Sequence, residues 1–399
     1  MDDTDMALDK KQPAAMPPRP RFGGFHALRT EWILPVALAT AGLFLKFGGV
    51  WLADLSSPGW LTLISLWLFA AILLSALAVV RHAEALATLL GEPLGTLLLT
   101  LSVIGIEVAM ISAVMASGHG NPTLARDAMF AVIMIVMNGM VGLALLVGGL
   151  RYHEQTYNFF GANAFLAVIV PLAVLGLVLP NFTHSSPGPT LSSPHAVFMI
   201  LMSVALYATF LAIQTSRHRE YFLEHSDDDA AGHASDGEAN APHAGEHEVR
   251  SAAYHVPLLV AYLVLVVILA KKIAVPINYG IEVLGAPAAL GGFLVSVIVL
   301  SPESVSAIRA ALDNRLQRCV NLLLGSVLAS ISLTIPAALT IGFMTGQTIV
   351  LGLDGADMIL LTLTLAVSML TFAGSHSNAL LGAVHLLLFL AYLMLIFDK

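Results

Sequence analysis

Two stretches decide the fold: LGTLLLTLSVIGIEVAMISAVMA at residues 94–116 and LGGFLVSVIVLSPESVSAIRAAL at residues 290–312. Each is long enough to cross a bilayer, which takes about 20 predominantly apolar residues. Each carries one acid near its middle, Glu107 or Glu303. At an offset of 196 residues Leu94 meets Leu290, Gly95 meets Gly291, Leu98 meets Leu294, Val103 meets Val299 and Glu107 meets Glu303. Thr100 meets Ser296, which keeps a hydroxyl, and Gly105 falls opposite Ser301. Leucines match cheaply in apolar sequence; two intramembrane carboxylates do not. The stretches read as the matching helices of a repeat.

Outward from this pair the rest of the chain is of the same kind. It is 57% apolar and 11% charged, against about 25% charged in a soluble domain, so lipid is its solvent. Eleven spans are expected, near 32–53, 60–80, 93–116, 128–150, 164–181, 195–215, 254–275, 286–311, 319–341, 355–373 and 378–397. The expected architecture is all-α and membrane-embedded, with one helix followed by two five-helix repeats. Five is odd, so the second repeat enters from the opposite side, and inverted repeats place substrate sites near the midplane. With the N-terminus inside, thirteen of the 18 Lys and Arg residues fall on the cytoplasmic side. The positive-inside rule then puts the C-terminus outside, as expected for a bacterial inner membrane.

Four regions follow from this reading. Residues 1–30 form a polar, Pro-rich cytoplasmic tail with no signal-peptide core. Residues 31–215 hold the first span and first repeat, and 253–399 the second repeat. Between them, residues 216–252 mix acids with His225, His233, His243 and His247 and show no apolar period, which reads as a cytoplasmic linker. The histidines match no ordered zinc motif. Cys319, the one cysteine, reads as a small buried apolar residue. No basic patch interleaved with aromatics points to nucleic acid. The expected partners are the bilayer, inorganic cations and protons, and a homo-oligomer is compatible with the sequence.

The acids carry the chemistry. A charged acid at the bilayer centre costs roughly 2.5–3.5 kcal/mol on insertion scales, and Lys46, the one deep cation, cannot neutralise two. Pro302 cannot donate a backbone hydrogen bond, which frees the carbonyl of Ile298 beside Glu303. Freed carbonyls next to a carboxylate suit a hard cation. Thr100 and Ser296 each precede their glutamate by seven residues, close to two turns on one face. The next spans align with a shorter gap, bringing Asn138 opposite Ser326 and Gly142 opposite Ser330. Asn138, Ser326 and Ser330 are therefore candidates for further oxygens, as are Ser296 and Ser301. His82, Glu84 and Glu92, near the ends of the second and third spans, are candidates for a cytoplasmic access funnel. Glu107 and Glu303 are the expected ligands of the transported ion, with no resident cofactor. Two buried acids that hold either protons or a cation make an exchanger. A channel would need a continuous wet pore. An enzyme would need a nucleophile or metal motif, and neither G-x-S-x-G nor H-E-x-x-H occurs. A membrane sensor built on the acidic linker is the third rival.

At RHAEALATLLGEPLGTLLLTLSVIGIEV (81–108), LGGFLVSVIVLSPES (290–304) and NLLLGSVLASISLTIP (321–336) the chain resembles the calcium/cation exchanger superfamily, in its cation–proton branch. The resemblance covers nearly the whole membrane part. It implies a one-plus-five-plus-five helix fold with Glu107 and Glu303 as the site carboxylates, exchanging Ca2+, or Na+ or K+, for H+. The wider family carries Gly-Asn-x-x-Glu in both repeats. Here those positions read Val103, Ile104, Gly105, Ile106, Glu107 and Val299, Leu300, Ser301, Pro302, Glu303. Both asparagines are replaced, which implies looser calcium binding and readier acceptance of sodium or potassium.

Overall fold

The computed structural model describes residues 31–91, 94–115, 122–217, 219–222 and 251–398. The N-terminal tail, most of the linker with its four histidines, and Glu92 lie outside the described residues. Lipid offers no hydrogen bonds to the backbone, so apolar segments close their own as helices. Eleven result: α1 Ile33–Trp51, α2 Pro58–Leu90, α3 Leu94–Met115, α4 Leu124–Tyr152, α5 Phe159–Phe182, α6 Ser193–Thr215, α7 Ala252–Glu282, α8 Ala289–Leu312, α9 Leu316–Thr345, α10 Gly355–Thr371 and α11 Ala379–Ile396. Among the described residues nine are long and apolar enough to cross a membrane. Two shorter apolar helices, Leu98–Ser112 within α3 and α10, complete the set. Leu45, Leu66, Leu201, Leu370 and Leu387 stay exposed, as a lipid-facing surface requires.

Much of the packing follows the symmetry expected of the repeat. α2 lies against α7; α3 touches α7 and α9; α8 touches α2 and α4; α4 packs on α11, and α9 on α6. Exchanging each helix of α2–α6 for its counterpart in α7–α11 maps this set onto itself. The connections repeat it too. After α4, β1 (Glu154–Thr156) pairs antiparallel with β2 (His376–Asn378), which follows α10. After α9, the backbone N–H groups of Leu351 and Gly352 donate to the carbonyl of Pro189, which follows α5, at 3.2 and 3.1 Å.

Several spans differ from the sequence expectation. α2 continues to Leu90 instead of ending near residue 80. Arg81, His82 and Glu84 do not stop it, because the first two find partners within the protein. Arg81 pairs with Glu31, which also accepts from Tyr254 at 2.9 Å and Tyr262 at 3.2 Å. His82 Nδ1 meets His255 Nδ1 at 2.9 Å. This cluster ties the start of α1 to α2 and α7. α5 begins at Phe159, earlier than expected, capped by the Asn158 side chain, and passes Pro171 into a π turn over Val174–Val178. α4 starts at Leu124 and contains a π turn over Met134–Met140. α7 runs on to Glu282, past its expected end near residue 275, and holds Lys271 and Lys272 within it.

Candidate functional site

α3 brings Glu107 and α8 brings Glu303 to the same place, the face of α9. Ser326, Ser330 and Thr334 recur every four residues along α9, so they form one hydroxyl stripe. Ser330 Oγ donates to Glu107 Oε2 at 2.6 Å, and Thr334 Oγ1 donates to Oε1 at 2.8 Å. Ser326 donates to Glu303 Oε2. Glu107 is buried, 1% exposed; Glu303 is partly exposed.

Glu303 owes its exposure to a cavity of about 440 Å3 whose wall includes Thr100, Glu303, Ser326 and Ser330. The cavity also reaches Gln214 at the end of α6 and Gln317, Arg318 and Asn321 at the start of α9. Glu107 and Thr334 are not part of its wall. On the far side α8 lies directly on α4. A Cβ on Gly292 would stand 2.6 Å from the backbone nitrogen of Ala128 and from the carbonyl carbon of Asp127, so only glycine allows this approach. Ser296 Oγ donates to the Ala128 carbonyl at 3.0 Å. Close by, Arg126 binds Asp127 at 2.9 Å and the Gly352 carbonyl at 3.0 Å, with Asp354 at 3.7 Å. The cavity therefore reaches the site from the end where α6 stops and α9 starts, and on the other side α8 seals against α4.

The expected site residues divide accordingly. Glu107, Glu303, Ser326 and Ser330 come together, and Thr100 lines the approach. Ser296 belongs to the seal. Ser301 turns back to the Val297 carbonyl of its own helix. α8 remains helical through Pro302, which is buried in it. Gly105 has open space where a side chain would stand, so no close approach explains it. The side chain of Asn138 is engaged elsewhere than on the glutamates. Its amide donates to Thr364 Oγ1 at 2.8 Å, and its Oδ1 meets His385 Nδ1 at 3.2 Å. The π turn inserts an extra residue into that turn of α4, which offsets the face on which alignment with Ser326 would have placed Asn138. His82 is 1% exposed, so it faces the Glu31 cluster and not a funnel. Glu84 is exposed and within electrostatic reach of Arg318 at the cavity mouth. Sequence reasoning missed Thr334, although its spacing from Ser330 repeats that of Ser330 from Ser326. Among the described residues no three His, Cys, Asp or Glu side chains gather into a metal-holding group; a transported cation would meet two carboxylates and neighbouring hydroxyls.

Comparison with known proteins places this arrangement. Residues 60–216 and 255–397 match the family described as sodium/calcium exchanger protein. The chain is 40% identical over 369 residues to the sodium-potassium/proton antiporter ChaA of Escherichia coli (strain K12), covering 92% of this chain and 96% of that one. It is 42% identical over 319 residues to the putative ionic transporter y4hA of Sinorhizobium fredii (strain NBRC 101917 / NGR234), covering 80% and 84%. The fold is that of the Ca2+/H+ antiporter protein YfkE, with a TM-score of 0.67 at 18% identity over 93% of this chain and 100% of that structure. Carried by match over both halves, the conclusion is that this chain belongs to the sodium/calcium exchanger protein family.

Proposed function

We propose that the chain is a secondary cation/proton antiporter of the bacterial inner membrane, and that Glu107 and Glu303 are its shared binding site. It exports Ca2+ from the cytoplasm in exchange for H+. The observation that carries this reading is the carboxylate pair on α3 and α8, held by one hydroxyl stripe and reached through a cavity from the end where α6 stops and α9 starts. Burial favours the neutral acid, and an arriving cation favours the carboxylate. Protons and cation thus compete for the same oxygens. Carrying two bare charges across lipid is costly, so the empty site moves rarely and flux is coupled. No bond of a substrate is made or broken, so the reading requires no enzyme chemistry. The cavity mouth lies where α6 ends and α9 begins, which the Lys and Arg distribution assigns to the cytoplasm, with the N-terminus inside and the C-terminus outside.

A second reading is exchange of Na+ or K+ with little calcium activity. It is favoured by the Ile104 and Leu300 side chains standing where the wider family has asparagine, and by the name of the 40% identical relative. Purified protein in proteoliposomes under an imposed pH gradient separates the two. Uptake of calcium, sodium and potassium is followed for wild type, Glu107→Gln and Glu303→Gln. Gradient-dependent uptake by wild type alone is expected, and the ions carried decide between the readings. Uptake that survives both substitutions would remove the carboxylate pair as the site.

A further inference from the structure

Glu107 is walled off from the cavity that Glu303 enters, yet one side chain belongs to both. Among the described residues Ser330 is the only one that lines the cavity and also hydrogen-bonds Glu107. The other donor to Glu107, Thr334, is 1% exposed and absent from the cavity wall. The neighbouring wall on α3 and α9 is Thr100, Val103, Ile104, Ser326, Leu328 and Ala329; of its two hydroxyls, Ser326 donates to Glu303 and Thr100 is not among the donors to Glu107. On the other side of the site Gly292 and Ser296 rest on α4.

We propose that Ser330 is the proton relay of Glu107, so that Glu107 exchanges protons with the cavity while remaining closed to the cation. A hydroxyl has one hydrogen to give and lone pairs to receive another. In the loading step, a hydronium in the cavity donates a proton to Ser330 Oγ and becomes water. The original Oγ–H bond breaks and its proton forms an O–H bond with Glu107 Oε2, 2.6 Å away. The serine is regenerated, the carboxylate becomes a neutral acid, and the cavity has lost one proton. Unloading runs the same transfers backwards. A metal ion cannot pass through a hydroxyl, so this route is selective by construction. The two glutamates then differ in kind in this conformation. Glu303 meets both cation and proton directly at the cavity wall, and Glu107 is set by protons alone until the helices move. This rests on the antiport reading above.

The test compares two fluxes of the full-length protein in proteoliposomes. One is uptake driven by a pH gradient. The other is isotopic exchange of a cation for itself at equal pH, which requires no net proton movement; radioactive calcium is the probe, or radioactive sodium if wild type carries only that. The variants are Ser330→Ala, which removes the hydroxyl, and Ser330→Thr, which keeps it. In Ser330→Ala the ratio of gradient-driven uptake to self-exchange is expected to fall at least tenfold, up to about the 100-fold that a positioned acid–base group commonly supplies. Ser330→Thr is expected to restore most of it. A packing or cation-ligand role would lower both fluxes together and leave the ratio fixed, which overturns the proposal, as does an unchanged ratio with both fluxes intact. If Ser330→Ala does not fold, Ser330→Cys, of nearly serine's size with a thiol that also shuttles protons, must keep a ratio near wild type. Wild-type flux that ignores the pH gradient would instead remove the antiport reading, and the relay with it.

Discussion

α4 and α9 occupy corresponding places in the two repeats, yet they do opposite work. α9 is α-helical from Leu316 to Thr345 and turns a regular stripe of Ser326, Ser330 and Thr334 onto both carboxylates. α4 is broken by a π turn and spends its one buried amide, Asn138, on Thr364 and His385. His385 in turn meets Thr371 Oγ1 at 2.9 Å. One repeat partner thus furnishes the site, and the other fastens α10 and α11 to the body of the protein. The duplication supplies the scaffold twice and the oxygens once. Sequence symmetry predicts where a helix goes better than what its side chains touch.

That contrast can be broken in graded ways. The largest effect is expected from removing the outer hydroxyls of the stripe together. Ser326→Ala with Thr334→Val strips each carboxylate of a donor. Hydrogen bonds to charged groups are worth about 1.5–3 kcal/mol each, so cation affinity should drop by tenfold or more, read as KM in proteoliposome uptake. An unaltered KM would mean that α9 merely passes by the site. Next comes the seal. Gly292→Ala places a methyl against the Ala128 backbone, where it has no room; Gly291→Ala meets Ile277 at 3.4 Å, where a side chain can give way. The first is expected to lower folded yield or leave the far end reachable by a membrane-impermeant thiol reagent at an introduced Thr334→Cys. The second should do neither.

The α4 side should respond in stability and not in selectivity. Asn138→Ala takes one buried partner from each of His385 and Thr364, at a cost of about 1–3 kcal/mol. A lower apparent Tm with an unshifted preference among calcium, sodium and potassium is expected. A shifted preference would return Asn138 to the ion site. The smallest effect concerns acid. Neither the α9 stripe nor the Asn138 cluster contains a fixed cation, whereas Glu31 at the foot of α1 does have one beside it. Burial alone would raise its pKa, but Tyr254, Arg81, His82 and Tyr262 together hold it below the usual value of 4.5. The stability it contributes is complete above the ordinary carboxylate range and is lost as pH falls through its lowered folded value. Tm measured from pH 7 down to pH 4 should decline more gently in Glu31→Gln than in wild type.

How much of this was legible beforehand depended on the distance over which a residue's surroundings are decided. The eleven apolar segments and the repeated glutamates are local features, and they were readable. The stripe was half-readable: alignment pointed to Ser326 and Ser330, but Thr334 has no aligned polar partner and was passed over despite its four-residue spacing. The π turn is not readable, since MIVMNGM carries no mark of an extra residue, and neither are Thr364 and His385 as the hydrogen-bond partners of Asn138. The length of α2 was misjudged for another reason. Arg81 and His82 resemble an interfacial end until Glu31 and His255, 50 and 173 residues away, are brought beside them.

The two backbone pairings after α4 and after α9 carry a last consequence. Each joins a segment from one repeat to a segment from the other, β1 to β2 at one face and Leu351–Gly352 to Pro189 at the opposite face. The halves are laced together at both ends rather than set side by side, so continuity of the chain between them is dispensable to their union. Two polypeptides divided between Phe222 and Ser251 and made in the same cell are expected to reassemble, much as two combs stay meshed after the string between them is cut.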